Sequence, residues 1–478
     1  MHEPQPSITV ALYSDEREGD LQLPALIPVS CCHSSSFGRF ATKHKRESRK
    51  VDDNNSAESI HIDTDEFPIR FGEKKIQAYE PDIVSIGPLH RGRGGDKFQL
   101  MEKVKRWYLQ CLLADANITL ANLITGVVDF KKRARDCYAE PLDHFNKKDF
   151  IEMMIIDGCF LIELFRKGFS VDQRDENDPV FNVSCMPQYL FHDLLLLENQ
   201  LPWFVLERLY NLTAVKNTTS EGNAASLPDL VLNFFKQSVA DDFIFKPCLN
   251  LPHEPLHILD LIRTWIVFPC KEEGLGCKRK VGNDDQQQSE ERPPPQRVPN
   301  ATTLSEAGIK FQKSFKTSDC IMNINFENGV FTIPPLGIDE TTGPLFRNLI
   351  AFEQCCHSRP HKVTSYAVLM DNLIDSSKDI DLLCDMGILV NWLSPEDAAR
   401  FFNELYNDTM VIGFYYEGLC NEVNKYYKTD WNKWMEKLRR EHFGSPWAII
   451  SLVAAFILLV LTMLQTVYAI HQFYHPPK

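Results

Sequence analysis

The sequence predicts a mainly α-helical protein, in which a large helical domain with a small β-hairpin element is followed by one C-terminal transmembrane helix. Three observations support this fold class. Apolar residues recur at helical spacing through most of the chain, one segment alternates apolar and polar residues around Asn328-Gly329, and residues 447–470 carry no charge. There is neither a repeat period nor the alternation of strands and helices that is typical of Rossmann folds and α/β barrels.

Four segments carry the helical signal. Apolar side chains in residues 101–112 follow the spacing of an amphipathic helix, with basic residues between them. Residues 150–165 are apolar on most faces and predict a core helix. Residues 189–197 and 203–210 repeat the helical pattern on either side of a proline.

A helix start is predicted near residue 394. Ser394 suits the N-cap position, and Pro395 suits the first helical position because its missing N–H group is not needed there. The helix that follows is expected to bury Phe401, Phe402 and Leu405.

The single hairpin is predicted over residues 324–333. Ile324 and Phe326 alternate with polar neighbours, Asn328-Gly329 suits a two-residue type I′ turn, and Phe331 and Ile333 lead back.

Changes in composition divide the chain into segments. Residues 1–65 are polar and lack an apolar period, which predicts a disordered N-terminal lead. Residues 271–300 contain no aromatic residue and little to bury, which predicts a flexible insertion. The helical domain is therefore expected in residues 66–270 and 301–430.

The net charge and the cysteines argue against two classes of protein, nucleic-acid-binding proteins and disulfide-bonded secreted proteins. The 478 residues include 51 Lys+Arg and 65 Asp+Glu, which give a net charge of −14. Because a general nucleic-acid-binding protein needs a basic surface, we predict no nucleic-acid partner. The first thirty residues lack the basic start and apolar core of a secretory signal, so the fourteen cysteines are expected to be reduced and buried.

The uncharged C-terminal segment predicts a membrane span. Residues 447–470 form 24 successive residues without a charge. At about 1.5 Å per residue they reach about 36 Å, which is enough to cross a hydrocarbon core of about 30 Å. Trp447 and Tyr468 supply interfacial aromatic rings near its two ends, and residues 471–478 are expected to form a short tail.

Basic residues before this span predict its orientation. Residues 431–446 predict an amphipathic segment on anionic lipid, with basic side chains at Lys433, Lys437, Arg439 and Arg440. By the positive-inside rule the large domain is expected in the cytosol, and the length of the span favours the plasma membrane over the endoplasmic reticulum. Sequons such as that at Asn117 favour the opposite topology, which stays open.

Small and hydroxyl side chains share one face of the predicted span. Such faces let transmembrane helices approach closely, and a neighbouring glutamine amide can bond across the contact. We predict a packing face, and with it a homo- or hetero-oligomer through this helix, from Ala448, Ser451, Ala455, Thr462, Gln465, Thr466 and Ala469. General tolerance of small residues in such spans explains the pattern equally well.

The H-E-x-x-H pattern at residues 253–257 is that of a zinc metalloprotease helix. Pro255 lies between the two histidines, and a proline there removes a backbone donor and clashes with the preceding turn. We therefore predict a turn, with His257 at the start of a helix, rather than a zinc site.

Three further patterns lack the spacing that their chemistry needs. The basic glycine-rich run at residues 90–97 has no G-K-[ST] ending and is interpreted as a solvated loop rather than a phosphate cradle. Cys355-Cys356-His357 lacks the spacing of a zinc knuckle, and the aspartates of residues 371–385 lack that of a calcium loop and are interpreted as solvated faces or caps. We predict no catalytic residue, metal ligand or cofactor.

Seven segments stand out along the chain: residues 79–90 (YEPDIVSIGPLH), 157–165 (DGCFLIELF), 193–205 (DLLLLENQLPWFV), 304–311 (LSEAGIKF), 343–355 (GPLFRNLIAFEQC), 379–391 and the PWAII start of the span. Together and in this order they resemble the plant domain-of-unknown-function 247 family over residues 65–475. The resemblance implies a largely helical plant membrane protein with no established catalytic activity, and it transfers no functional residue. Some grass relatives are implicated in pollen–stigma self-recognition, which suggests recognition as a function.

The leading hypothesis is therefore a single-pass membrane-anchored interaction or signalling module that binds membrane lipid and an unidentified protein partner. The alternative is a membrane-bound hydrolase or nucleotide-dependent enzyme with an unrecognised site.

Overall fold

The computed structural model describes residues 79–92, 95–139, 142, 145–176, 178–214, 225–238, 251–267, 297–314, 320–356, 358–405, 409, 411, 413–429 and 446–474. The predicted N-terminal lead, most of the predicted insertion and the juxtamembrane residues Lys433, Lys437, Arg439 and Arg440 lie outside this part of the chain.

The protein is mainly helical with small sheets, as the sequence predicts. The first half contains α1 (Gln99–Ala116), α2 (Leu120–Val128), α3 (Lys131–Arg135), α4 (Lys147–Phe169), α5 (Met186–Leu194), α6 (Trp203–Leu212), α7 (Leu227–Ser238) and α8 (Ile258–Val267), with short 3₁₀ helices at Gly95–Phe98 and Val171–Gln173. The second half contains α9 (Ala301–Glu306), β1 (Lys310–Lys313), β2 (Asn325–Glu327), β3 (Val330–Ile333), β4 (Leu336–Ile338), α10 (Thr342–Cys355), α11 (Lys362–Leu373), α12 (Ser377–Asp385), β5 (Leu389–Asn391), α13 (Pro395–Glu404) and α14 (Glu417–Tyr427), and α15 (Pro446–Tyr474) follows.

Helix α4 is the centre of the first half, as its apolar sequence predicts. Residues 153–165 are buried without interruption, and the helix packs against α1, α2, α6 and α7. Gly158 allows α6 to approach α4 closely, because a Cβ atom at this position would overlap the Leu209 side chain of α6. One hydrophobic cluster runs from these helices into the second half, so the two halves share a core.

The predicted hairpin is present and forms part of a larger sheet. Strands β2 and β3 pair antiparallel with Phe326 opposite Phe331, and both turn residues have positive φ angles, +52° at Asn328 and +78° at Gly329. Two positive φ angles are what a type I′ turn requires. Strand β1 adds to β3 in parallel, and β4 and β5 form a separate parallel pair.

Helix α13 begins as predicted. The Ser394 hydroxyl accepts the backbone N–H of Asp397 at 3.1 Å, and Pro395 occupies the first helical position. Phe402 and Leu405 are buried, whereas Phe401 is only partly buried.

We expect Ser394→Ala to lower the free energy of unfolding by about 1 kcal/mol, because the variant leaves one helical N–H without its cap. Urea denaturation measures this change. Ser394→Asp is the matched control, since its carboxylate caps the same group and is expected to retain most of the stability. Equal stability of the alanine variant and the wild type would contradict the role of the cap.

The C-terminal segment is helical over Pro446–Tyr474, so the helix extends through the first half of the predicted tail. Within the described residues, no single helix is long and apolar enough to cross a membrane by itself. The C-terminal helix contributes the shorter apolar stretch Val453–Val467, while α1 and α2, which meet at 101°, reach the required length and composition only as a pair.

Candidate functional site

The H-E-x-x-H segment forms a turn, as Pro255 predicts. Residues 253–257 are not helical, and α8 begins at Ile258. The Nδ1 atom of His257 accepts the backbone N–H of Asp260 at 3.2 Å, so this imidazole caps the helix. Burial lowers the pKa of His257 to about 4, which keeps its imidazole neutral at physiological pH.

Asp260 joins this turn to the Cys355-Cys356-His357 region, which lies almost one hundred residues further along the chain. Its buried carboxylate accepts two hydrogen bonds from Arg359, at 3.1 and 2.7 Å, and one from the backbone N–H of Leu256. The Nε2 atom of His253 lies 3.9 Å from the same carboxylate. Arg359, two residues after the second motif, is therefore bound to the helix that follows the first motif, while His357 itself lies outside the described residues.

A second buried pair lies one helical turn further along α8. Arg263 donates to the Glu353 carboxylate at 2.7 and 2.9 Å and also to the Pro360 carbonyl. The backbone N–H groups of Val363 and Thr364 complete the shell around Glu353. These bonds fasten the loop after α10 to α8.

The chemistry of this region favours a structural role. Cys356 is buried, and burial raises the pKa of its thiol, so the reactive thiolate is disfavoured. Asp260 already has an arginine partner, and His257 uses one ring nitrogen to cap α8. The Nε2 atom of His253 lies 3.3 Å from the Thr264 hydroxyl, and the Cys356 thiol lies 3.3 Å from the Ser358 hydroxyl.

The basic glycine-rich loop turns its first arginine inward. Arg91 donates to Glu102 at 3.0 Å and lies 3.5 Å from Asp157, while Lys105 contacts Glu102 at 2.6 Å and Asp157 at 2.8 Å. Gly87 donates its backbone N–H to Asp157 at 2.9 Å, and Lys105 donates to the Ser85 carbonyl. Arg93 and Gly94, the centre of the predicted loop, lie outside the described residues.

Asp193 holds the start of the same loop. Its carboxylate accepts the backbone N–H groups of Asp82, Ile83 and Val84 at 2.7–2.8 Å. Asn199 adds two bonds, because it accepts the N–H of Ile86 at 2.6 Å and donates to the Val84 carbonyl. Residues 79–90 are therefore held by side chains from residues 193–205.

Sequence reasoning missed the roles of these side chains. Residues 79–90 and 193–205 both belong to the segments that resemble the family. This shared resemblance is the signal that would have pointed to them. The acidic run of residues 371–385 supplies a further contact between distant segments. Asp379 caps α12 and also accepts hydrogen bonds from the backbone N–H and the hydroxyl of Thr302.

Asp82, His192 and Asp193 form a group with metal-ligand atoms within 4.8 Å of one another. The Nδ1 atom of His192 lies 3.0 Å from Asp193 and 3.6 Å from Asp82. The shorter distance fits a hydrogen bond from the imidazole to the carboxylate. Three backbone N–H groups already converge on Asp193 and direct their positive ends towards it, which disfavours a cation there.

The predicted packing face lies along α15. The side chains of Ser451, Ala455, Thr462, Gln465 and Thr466 are exposed, and those of Ala448 and Ala469 lie outside the described side chains. Two hydroxyls bond within the helix: that of Thr462 donates to the Leu458 carbonyl at 2.9 Å, and that of Thr466 to the Thr462 carbonyl at 2.8 Å.

Comparison with known proteins gives one family and two curated relatives. The model of DUF247, described as a plant protein of unknown function, matches residues 66–461. The UPF0481 protein At3g47200 of Arabidopsis thaliana is 28% identical over 424 residues, covering 86% of this chain and 87% of the relative. The putative UPF0481 protein At3g02645 of the same plant is 24% identical over 478 residues, covering 81% and 86%. No solved structure matches.

Proposed function

We propose that the chain, which belongs to the DUF247 family of plant proteins of unknown function, is a membrane-tethered interaction module, in which α15 anchors the helical domain to the cytosolic face of a membrane. The proposal concerns how the protein is held and what it presents to a partner. It assigns no reaction.

The exposed apolar surface of α15 carries this proposal. Eleven large apolar side chains in this helix are 39–68% exposed: Ile450, Val453, Phe456, Ile457, Leu458, Leu459, Val460, Leu461, Met463, Leu464 and Val467. Each square ångström of apolar surface left in water costs about 25 cal/mol, so this helix needs an apolar environment. The proposed span joins Val453–Val467 to the uncharged residues that flank it within residues 447–470.

The basic residues before the helix support the cytosolic orientation. Lys433, Lys437, Arg439 and Arg440 precede the span, whereas residues 471–478 contain one lysine and no arginine. Cytoplasmic flanks of membrane spans carry such an excess of lysine and arginine. A reach of about 36 Å matches the thicker plasma membrane better than the endoplasmic reticulum, which supports the plasma membrane as the location.

The use of ionisable side chains within the described residues supports interaction over catalysis. Arg91, which a nucleotide-binding loop would direct towards phosphate, instead contacts Glu102 and Asp157. The two histidines of the H-E-x-x-H pattern cap a helix and contact Thr264. These groups hold loops against helices, which suits a rigid scaffold whose outer surface meets a partner.

Removal of the anchor tests the proposal. We expect the full chain, expressed in plant cells, to remain in the membrane pellet after extraction with alkaline carbonate. A chain that ends at residue 445 is expected to appear in the supernatant, because it keeps the helical domain but loses the apolar helix. Release of the full chain by carbonate would contradict the anchor. A truncated chain that stays in the pellet would assign membrane attachment to another segment.

A further inference from the structure

We propose that Gln465 pairs two copies of the anchor helix within the membrane, so that the protein presents its helical domains as a dimer. This inference rests on the proposed membrane anchor and adds the partner of that helix. It depends on one amide rather than on the small side chains around it.

The polar side chains of α15 differ in whether they form hydrogen bonds. Within the described side chains of α15, Thr462 and Thr466 satisfy their hydroxyls with carbonyls of the preceding turn, and Ser451 also has a polar partner. Gln465 makes no hydrogen bond in this part of the chain and is exposed. Its amide has two donors and a carbonyl acceptor, and hydrocarbon offers no partner for either.

The position of Gln465 keeps it in the hydrocarbon. It lies six to seven residues from the middle of residues 447–470, or about 10 Å at 1.5 Å per residue, which is inside a half-thickness of about 15 Å. Side chains of a helix lean towards its N-terminus, so Gln465 leans towards the bilayer centre rather than towards the nearer interface. The amide therefore needs a protein partner at its own depth.

A second copy of this chain supplies that partner. Every copy that enters the membrane in the same orientation carries Gln465 at the same depth, and two carboxamides are self-complementary because each donates to the carbonyl of the other. Thr462 lies one turn before Gln465 and Ala469 one turn after it. Both residues are small enough for the two backbones to approach.

The test is energy transfer between two differently labelled copies of the full chain, co-expressed in one membrane. We expect Gln465→Leu to weaken association about tenfold, the effect of losing about 1.4 kcal/mol of interhelical hydrogen bonding. Gln465→Asn keeps the amide and is expected to retain most of the signal. Met463→Leu, on the opposite face at about 200° from Gln465, is the matched control and is expected to match the wild type.

Carbonate extraction of the same membranes separates the two proposals. A wild type that carbonate releases would overturn the anchor and the pairing together. A wild type that stays in the membrane without energy transfer, or one whose transfer is unchanged by Gln465→Leu, would overturn the pairing alone. Transfer that appears only with a different membrane protein would also overturn it.

Discussion

Replacing Asp157 by alanine is expected to lower the free energy of unfolding by about 3–5 kcal/mol, because the change leaves the buried Lys105 with a single carboxylate partner, that of the partly exposed Glu102. Asp157 and Lys105 are both 0% exposed, and their charged atoms lie 2.8 Å apart. The variant also leaves the backbone N–H of Gly87 without its acceptor. Chemical denaturation of the purified chain measures the loss.

Two variants separate charge from packing. Asp157→Asn keeps an acceptor for Gly87 but removes the charge, so it is expected to cost less than the alanine variant. Combining Asp157→Leu with Lys105→Met removes both buried charges at once, and such replacements are often close to neutral. If the double variant proves as unstable as Asp157→Ala, the loss comes from packing and from the unpaired N–H group of Gly87, and the ion pair is not its cause.

Glu163 is expected to make the folded protein less stable as the pH rises towards neutrality. It is 4% exposed in the middle of α4, and burial raises its pKa to about 7, against the attraction of Lys167 and Arg166. Between pH 4.5 and 7 the folded state therefore holds a proton that the unfolded state has lost. The free energy of unfolding therefore decreases by about 3 kcal/mol as the pH rises through that window, because the stabilising effect of this proton is lost.

The variant Glu163→Gln is neutral at every pH and removes this loss. We expect its stability relative to the wild type to increase by up to about 3 kcal/mol between pH 4.5 and pH 8, measured by urea denaturation at each pH. Glu152→Gln, a partly exposed position on the same helix, is the matched control and is expected to change stability by less than about 0.5 kcal/mol. A constant difference between Glu163→Gln and the wild type across this range would refute the buried, protonated carboxyl.

The pH dependence of stability must be compared between the variant and the wild type, because protonation of His257 changes the stability in the opposite direction to that of Glu163. Its pKa of about 4 lies below the ordinary value of 6.5, so its contribution to stability is lost as the pH falls from 6.5 to 4. Over most of this interval the contributions of Glu163 and His257 oppose each other. The wild-type profile alone is therefore expected to be shallow.

The helices and the hairpin were predictable because their signals are local. The apolar spacing in residues 150–165 is a property of one helix, and Asn328-Gly329 determines its turn without distant residues. Pro255 similarly excluded the zinc helix from a single position. The strands β1, β4 and β5 were missed because three or four residues are too short for a period to be recognised.

The hydrogen bonds and ion pairs between distant segments were not predictable from the spacing of residues in the sequence. Asp193 binds backbone groups about 110 positions earlier in the chain, and Arg359 binds Asp260 at a separation of 99. No periodicity relates such residues, and an aspartate in a helix has the same sequence signature whether it is solvated or holds a loop. Sequence reasoning therefore identified the motifs at residues 90–97, 253–257 and 355–357 without showing what holds them.

The proposed cytosolic location of the helical domain and its proposed membrane anchor are tested most directly by protease protection. Sealed microsomes with the cytosolic face outward, containing the full chain with a C-terminal tag, are treated with protease and probed for the tag. The proposed topology predicts a short protected fragment that begins near residues 430–446 and contains α15. Protection of the whole chain would put the domain in the lumen, and complete loss of the tag would mean that α15 does not cross the membrane.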